Sequence, residues 1–248
     1  MSVIKNIAAF KNWPLFYAAR YGLLREEFEI IHRSGIRIRL RPHTDDLKTV
    51  KSNLVTRHYW RDFLPITKDS VVVDLGAHIG SFTVLAAQIA SKVVAFEPVP
   101  SNYRLLKANI ERNGLKNAVL YQMAISGVSG FREICICEDA STGTHSFYSE
   151  SGSTSKQRVQ TISLEDLIKK ESLSTIDFLK VDCEGAEHDI FRNMNTEIAG
   201  KIRSIAMETH GVPAESSIDL PSRLRALGFE VRVEERGAYV YARRIPGG

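Results

Sequence analysis

The chain has 248 residues, of which 44% are hydrophobic and 25% are charged, with a formal net charge of +4. This composition is typical of a globular protein, and the length suits one large domain or two small ones. No apolar run approaches the roughly 18 residues needed to span a bilayer, so we expect no transmembrane segment. The mild positive charge permits an anionic substrate but does not indicate nucleic acid as a partner. Three cysteines without CxxC spacing favour a reduced, cytoplasmic protein over a disulfide framework.

The N-terminal 65 residues are predicted to form a cap of helices and a strand on a core of residues 66–248, within a single domain. The segment "MSVIKNIAAFKNWPLFYAARYGLL" lacks the unbroken apolar centre of a signal peptide. It predicts an amphipathic helix pair packed on the domain, with contact to a membrane surface as the alternative. "IRIRL", residues 36–40, alternates apolar and basic residues as a half-exposed strand does. Residues 45–64 predict one helix, closed by Pro65.

From residue 66 onwards, short apolar runs alternate with helical segments. The runs that predict strands are 70–76, 92–98, 118–126, 175–182 and 201–210. Continuous apolar strands separated by helices are typical of a parallel sheet covered by helices on both faces. Two final strands, 229–235 and 238–244, predict an antiparallel hairpin at one edge. The sequence therefore predicts an α/β fold with a mostly parallel sheet.

An inserted segment interrupts this alternation. Residues 130–138 alternate in the manner of an antiparallel strand, and residues 158–164 are predicted to return as its hairpin partner. The Ser-rich stretch at 139–157 predicts a long loop between them. An ordered lid over a substrate and a disordered segment are equally open interpretations of this loop.

The turn after the first parallel strand, "VDLGAHIGSF", carries Gly76 and Gly80, which allow a tight turn and a close approach to a ligand. A dinucleotide fingerprint needs G-x-G-x-x-G, but His78 and Ser81 stand where its second and third glycines belong. A nicotinamide-dependent oxidoreductase is therefore disfavoured. His78 is predicted to occupy a turn position at positive φ, with a catalytic base as the alternative.

Ligands bind such sheets beyond the carboxyl ends of the strands, and Glu97 lies at one of these ends, 21 residues after Gly76. An acid at this position can accept both ribose hydroxyls of an adenosine. Pro98, Ala124 and Ile125 can supply an apolar slot for the adenine. A ribose-binding acid without a pyrophosphate cradle favours S-adenosylmethionine, which contains adenosine and a charged amino acid but no phosphate.

Four segments resemble the FkbM family of S-adenosylmethionine-dependent methyltransferases: "RLRPHTDDLKTV", "VDLGAHIGSFT", "FEPVPSNYRLLKANI" and "IDFLKVDCEGAEHDIF". His78 departs from the asparagine that is usual in the second segment. The resemblance implies a class I methyltransferase (Rossmann-like) fold and methyl transfer to a hydroxyl on a sugar, polysaccharide or natural product. The partner would then be a small-molecule or glycan acceptor. The residues assigned to the cofactor are Asp74, Gly76, Ala77, His78, Gly80, Phe82, Glu97, Pro98, Asn102, Ala124, Ile125 and Asp182.

Asp182, Glu184 and Glu187 follow an apolar strand, where carboxylates are unfavourable unless they are paired or hydrogen-bonded. Methyl transfer to an alcohol needs a base or a cation beside the hydroxyl. Asp182 is predicted to face the methyl group, with Glu184 as the second acid. For Glu187, the sequence agrees equally well with a structural role, in which the carboxylate interacts favourably with the helix dipole, and with a functional role.

Glu208 and His210 are two residues apart and are predicted to lie beside Asp182 on one face of the next strand. Asp182, Glu184, Glu208 and His210 are therefore the predicted catalytic residues. A proton relay is favoured over a magnesium or manganese site, and no residue is assigned to a metal. A non-catalytic binding module is the remaining alternative, which the intact glycine turn, Glu97 and Asp182 disfavour.

Overall fold

The computed structural model describes residues 3–136, 155–234 and 237–245. The loop predicted at 139–157 lies outside the described residues except for its last three positions, which begin a strand. The lid hypothesis for this loop therefore stays a prediction.

Five elements form the N-terminal part of the chain. They are α1 (Val3–Ala9), α2 (Trp13–Arg20), β1 (Phe28–Ile31), β2 (Arg37–Leu40) and α3 (Asp46–Lys51). The two N-terminal helices pack on the rest of the protein, as expected: Phe10 and Phe16 are buried in one cluster with Ile79 and Leu106. The division into cap and core at residue 65 stays a prediction.

The predicted helix over 45–64 is wrong beyond residue 56. α3 passes into one π-helical turn, Ser52–Thr56, and stops at Arg57, whose φ is +53°. The following residues form turns instead of a helix, because Tyr59 and Leu64 are buried against the sheet. Burial of these two side chains overrides the helical propensity of the segment.

The remaining elements alternate between strands and helices. They are β3 (Val71–Leu75), α4 (Ser81–Ala87), β4 (Lys92–Phe96), α5 (Pro100–Arg112), β5 (Ala118–Tyr121), β6 (Ala124–Ser126), β7 (Gly130–Ile136), β8 (Ser155–Ser163), α6 (Leu164–Lys170), β9 (Phe178–Val181), α7 (Ala186–Asn193), α8 (Thr196–Gly200), β10 (Ser204–Glu208), α9 (Leu220–Ala226), β11 (Phe229–Glu234) and β12 (Tyr239–Arg244).

A seven-stranded sheet with the order β11-β12-β10-β9-β3-β4-β5 lies at the centre. The strands from β10 to β5 are parallel, and β12 and β11 add an antiparallel hairpin at one edge, which confirms the prediction. Alternate residues of β3 face opposite sides. Val73 packs with helices α7 and α9, whereas Val72 packs with α4. Helices therefore cover both faces of the sheet.

The strand predicted over 118–126 divides into two. β5 pairs with β4 in the central sheet, while β6 pairs with β8 in a separate three-stranded sheet of order β6-β8-β7. Ala124 of β6 is buried in a small cluster with Val99, Ile134 and Val159, and this packing draws the chain out of the central sheet. The antiparallel pairing of β7 with β8 agrees with the predicted hairpin.

Among the described residues, none of the helices combines the length and the apolar character that crossing a bilayer requires.

Candidate active site

A cleft of about 320 Å³ opens at the carboxyl ends of the central strands. Residues that end β3, β4, β9 and β10, or follow directly after them, line it: Gly76, Glu97, Asp182 and Glu208. In parallel sheets this edge is where ligands bind, and the volume is that of a small-molecule site. Tyr59, from the N-terminal part of the chain, lines the cleft as well.

The turn between β3 and α4 uses backbone conformations that favour glycine. Gly76 and Gly80 have φ of +77° and +84°, and His78 has φ of +53°, as predicted for a turn position. A Cβ on Gly76 would overlap the carbonyl oxygen of Asp182, and one on Gly80 would clash with Leu106. Each glycine thus lies close to the protein's own chain, and Gly76 also lines the cleft. The close approach to a ligand stays a prediction.

His78 is buried next to an ion pair that ties the N-terminal part to the core. Arg41 pairs with Asp46 at 2.7 Å and donates to Asn102 Oδ1 at 2.8 Å. His78 Nε2 lies 3.3 Å from Asp46 Oδ1. Burial lowers the pKa of His78 to about 4, so the ring is neutral at neutral pH. Asn102, assigned to the cofactor from the sequence, lines the cleft and also anchors Arg41.

Glu97 presents its carboxyl group to the cleft although only 5% of the residue is exposed. Its two oxygens accept hydrogen bonds from the backbone N–H groups of His78 and Val99 at 2.8 and 2.9 Å. Burial raises the pKa of Glu97 to about 7, against the lowering effect of these hydrogen bonds. Oε1 also accepts from the Asn102 side-chain amide at 3.4 Å, so Oε2 keeps the greater capacity for a further donor in the cleft.

The wall next to Glu97 is apolar. Pro98, Ala124 and Ile125 line the cleft there, at the positions that the sequence assigned to the adenine. Met123 and Ile134 extend the same surface. The division of the predicted third strand is what brings β6 over this end of the sheet.

Four residues assigned to the cofactor lie behind the lining of the cleft, and their assignment stays a prediction: Asp74, Ala77, Gly80 and Phe82. The ring of Phe82 packs against Tyr59 and Phe178 in the core, and Ala77 packs against the side of α5. Gly80 contacts Leu106, as described. Asp74 is fully buried, where it accepts a hydrogen bond from Thr83 and pairs with a lysine.

That lysine is Lys180, which the sequence interpretation left without a role. Its Nζ lies 3.1 Å from Asp74 Oδ1 and 3.6 Å from Asp182 Oδ2, and donates to the carbonyl oxygen of Gly76 at 2.6 Å. Burial opposes its charge, but Asp74 and Asp182 raise its pKa well above the ordinary value. The Lys-x-Asp spacing was the available signal, because residues two apart in a strand share a face.

Asp182, Glu184, Glu208 and His210 come together at one side of the cleft, and we call this group the acidic rim. Asp182 and Glu208 lie side by side because β9 and β10 are parallel neighbours. The hydroxyl of Tyr59 lies 2.7 Å from Asp182 Oδ2 and 2.9 Å from Glu208 Oε2, within hydrogen-bond distance of both. No pattern in the sequence pointed to Tyr59, since it stands in a segment predicted as helix.

His210 is held in place by Glu187, which is fully buried. Glu187 accepts from the backbone N–H of His210 at 2.7 Å and contacts its Nδ1 at 3.0 Å. A second Glu187 oxygen accepts from the Gly185 N–H at 2.9 Å. Glu187 therefore orients His210 instead of only stabilising the helix. The other ring nitrogen, Nε2, lies 3.5 Å from Glu184 and 3.8 Å from Asp182.

The charges of the acidic rim differ from residue to residue. Burial opposes the ionisation of Asp182, yet Lys180 and His210 lower its pKa below the ordinary value. Burial raises the pKa of Glu184 to about 8. For His210, burial favours the neutral ring, but the hydrogen bond with Glu187 and the nearby carboxylates raise the pKa to about 10. At neutral pH Asp182 is thus an anion and His210 a cation, and the predicted proton relay through this group stays a prediction.

Asp182, Glu184 and His210 also offer one ligand atom each within 4.8 Å of one another. Two carboxylates and an imidazole suit a divalent cation such as magnesium or manganese, and the contact of the other His210 nitrogen with Glu187 is the usual orientation of a ligating histidine. The group could therefore hold a metal, and the expectation that no residue binds one stays a prediction.

Residues 74–231 match the family described as "Methyltransferase FkbM domain". The chain is similar to "Hexuronic acid methyltransferase AglP" of Haloferax volcanii, with 24% identity over 247 residues, 98% of this chain and 99% of that protein. It is 26% identical to "31-O-demethyl-FK506 methyltransferase FkbM" of Streptomyces tacrolimicus, over 72% of this chain and 80% of that protein. It is 28% identical to "AMB antimetabolite synthetase AmbE" of Pseudomonas aeruginosa over 71% of this chain, which spans 10% of that much longer synthetase.

Among solved structures, the fold is similar to that of "Methyltransferase FkbM" from Methylobacillus flagellatus, with a TM-score of 0.51 and 15% identity. The similarity covers 94% of this chain and 59% of that one. At this identity the likeness establishes the fold, and it confirms the class I methyltransferase architecture that the sequence predicted.

Proposed function

We propose that this chain, which belongs to the FkbM methyltransferase family, transfers a methyl group from S-adenosylmethionine to a hydroxyl group of a small molecule or glycan. The observation that carries the proposal is that two carboxyl groups in different surroundings line one cleft. Glu97 lies beside the apolar wall, and Asp182 lies at the acidic rim, where Lys180 favours its ionised form.

The residues around Glu97 fit the adenosine part of the cofactor. Glu97 would accept the ribose hydroxyls with its remaining lone pairs, and Pro98, Ala124 and Ile125 would contact the adenine. When bound, S-adenosylmethionine supplies a methyl group on a positively charged sulfur. The ionised Asp182 favours positive charge at this end of the cleft by simple attraction.

The acidic rim would receive the acceptor hydroxyl. Asp182 is the group that takes the proton, because it is ionised and lines the cleft, while Tyr59 and Lys180 hold its position. Glu184, with a pKa of about 8, is a further acceptor at mildly alkaline pH. The cationic His210 stabilises the negative charge of both carboxyl groups and is a positioning residue.

The names of the relatives support a hydroxyl acceptor. One relative is named for an O-demethylated natural product and another for a hexuronic acid. We place the same class of acceptor in this cleft, and a cytoplasmic location agrees with the free thiols of Cys135 and Cys183. Transfer to nitrogen, oxidation with a nicotinamide cofactor and binding without turnover are the competing functions.

Calorimetry of the wild-type protein with S-adenosylmethionine and with NAD separates a methyltransferase from a nicotinamide-dependent oxidoreductase. We expect the former to bind and the latter not to bind. Mass spectrometry of glycans and metabolites from cells with and without the protein should then reveal one compound that lacks a single methyl group on oxygen. Binding of NAD alone, or a lost methyl group on nitrogen, would contradict the proposal, and unchanged compounds would favour the binding module.

A further inference from the structure

A second cavity of about 380 Å³ adjoins the cleft on the side of the N-terminal helices. It lies between α2, the segment 41–44 and α3, with Phe16 and Phe28 among its lining. Lys48 and Lys51 line this cavity and the cleft alike, so α3 forms a common border of the two. An acceptor bound at the acidic rim can thus extend to the lysines of α3.

The second cavity is strongly basic. The described residues that line it include Arg20, Arg41, His43, Lys48 and Lys51, and none of them is acidic. Arg41 is neutralised by its ion pair with Asp46. No carboxylate of the described chain lies within 4.0 Å of the side-chain nitrogens of Arg20, Lys48 or Lys51. Other lysines differ in this respect, since Lys92 pairs with Glu171 at 2.7 Å.

The two lysines are separated by three positions on α3 and are therefore neighbours on its surface. Asp45, directly before α3, lines the cleft but does not line the second cavity. Asp45 therefore offsets the positive charge of the two lysines on the cleft side of α3, whereas no acidic residue does so among the described residues that line the second cavity. Exposed lysines on a solvated helix need no ligand, but Lys48 and Lys51 line a cavity on each side of the helix.

We propose that Lys48 and Lys51, with Arg20 behind them, bind an anionic group of the methyl acceptor, either a carboxylate or a phosphate. This inference rests on the proposed methyl transfer and names the class of its substrate. The two lysines on α3 attract an anionic group more strongly than the acidic rim does, where the anion Asp182 lies, so the acceptor enters in one orientation. Its hydroxyl reaches Asp182 and its acid group reaches α3. A neutral acceptor of the same shape lacks this second attachment.

The test uses three probes of matched size: D-glucuronate for a carboxylate, α-D-glucose 1-phosphate for a phosphate, and D-glucose as the neutral reference. Saturation-transfer NMR measures their binding to the full chain in the presence of S-adenosylhomocysteine. We expect one or both anionic sugars to bind at least tenfold more tightly than glucose, and which of them binds identifies the acid group. In Lys48→Gln/Lys51→Gln, binding of the anion should fall about tenfold or more, because two charge-assisted contacts are lost.

The matched control is Lys68→Gln/Lys116→Gln, which removes the same charge from exposed positions outside both cavities. It should bind the anionic sugars as the wild type does. Equal binding of all three probes, absence of binding of both anions, or unchanged binding in the α3 variant would overturn the inference. Calorimetry with S-adenosylmethionine on each variant keeps the outcomes distinct, because normal cofactor binding leaves the proposed function intact when the anion site fails.

Discussion

The contact between Glu187 and His210 raises the pKa of His210, which lies at one end of the acidic rim. Glu187→Gln replaces the carboxyl group by an amide of the same shape. Glu187 is fully buried and has hydrogen-bond partners at both oxygens. A glutamine has one oxygen, so its amide NH₂ must face an N–H group of Gly185 or His210. An unpaired buried donor costs about 1–3 kcal/mol, and we expect the variant to lose stability by that amount at neutral pH.

A second effect adds to this loss and concerns the protonation of His210. Its pKa of about 10 lies some 3.5 pH units above the ordinary 6.5, a net effect of about 5 kcal/mol in which the carboxylates outweigh the burial that favours the neutral ring. Among the effects that raise the pKa, the hydrogen bond with Glu187 is the largest. We therefore expect the His210 pKa to fall by at least about one pH unit in Glu187→Gln, or about 1.4 kcal/mol.

A raised histidine pKa stabilises the folded protein fully below pH 6.5, and this stabilisation is lost as the pH rises towards about 10. The wild type should thus lose more stability between pH 6.5 and 9.5 than Glu187→Gln does. Urea unfolding across this range measures the difference, and NMR titration of the His210 ring gives its pKa directly. Glu165→Gln, which breaks an exposed ion pair with Lys169, is the control of equal charge. An unchanged His210 midpoint in a folded Glu187→Gln protein would refute the assigned role of Glu187.

Three further predictions concern the rest of the site. Asp182→Asn should lower turnover on the true acceptor by about 10²–10⁴, the range for loss of a general base, with little change in cofactor affinity by calorimetry; normal turnover would remove Asp182 from the chemistry. Glu97→Ala should weaken S-adenosylmethionine binding at least tenfold, because the ribose hydroxyls lose their hydrogen-bond acceptor; unchanged affinity in a folded variant would contradict the ribose assignment. Gly76→Ala should destabilise the protein by about 2 kcal/mol more than Gly114→Ala, since both have positive φ but only at Gly76 does a Cβ meet the backbone of Asp182; equal losses in urea unfolding would argue against the close approach of this turn to β9.

Local patterns in the sequence were enough to predict most strands of the central sheet. The runs that became β3, β4, β9 and β10 are short, apolar and separated by helical segments, and burial on both faces requires this composition. Because the carboxyl ends of parallel strands meet at one edge, the same patterns also placed Glu97, Asp182 and Glu208 near one another. The resemblance of the Lys-x-Asp-x-Glu-Gly-x-Glu segment then indicated the family.

The partner of each residue was decided by the tertiary structure alone. Tyr59 stands 123 residues before Asp182, and burial against the sheet, not local propensity, draws it out of a helical conformation to the acidic rim. The run 118–126 divides because strand periodicity is the same in either sheet, and the choice between sheets depends on distant packing partners. The charges of the site also depend on tertiary contacts. His210 is a cation because Glu187, from another element, is buried beside it. Neither the residue type of His210 nor its distance from Glu187 along the chain predicts that contact.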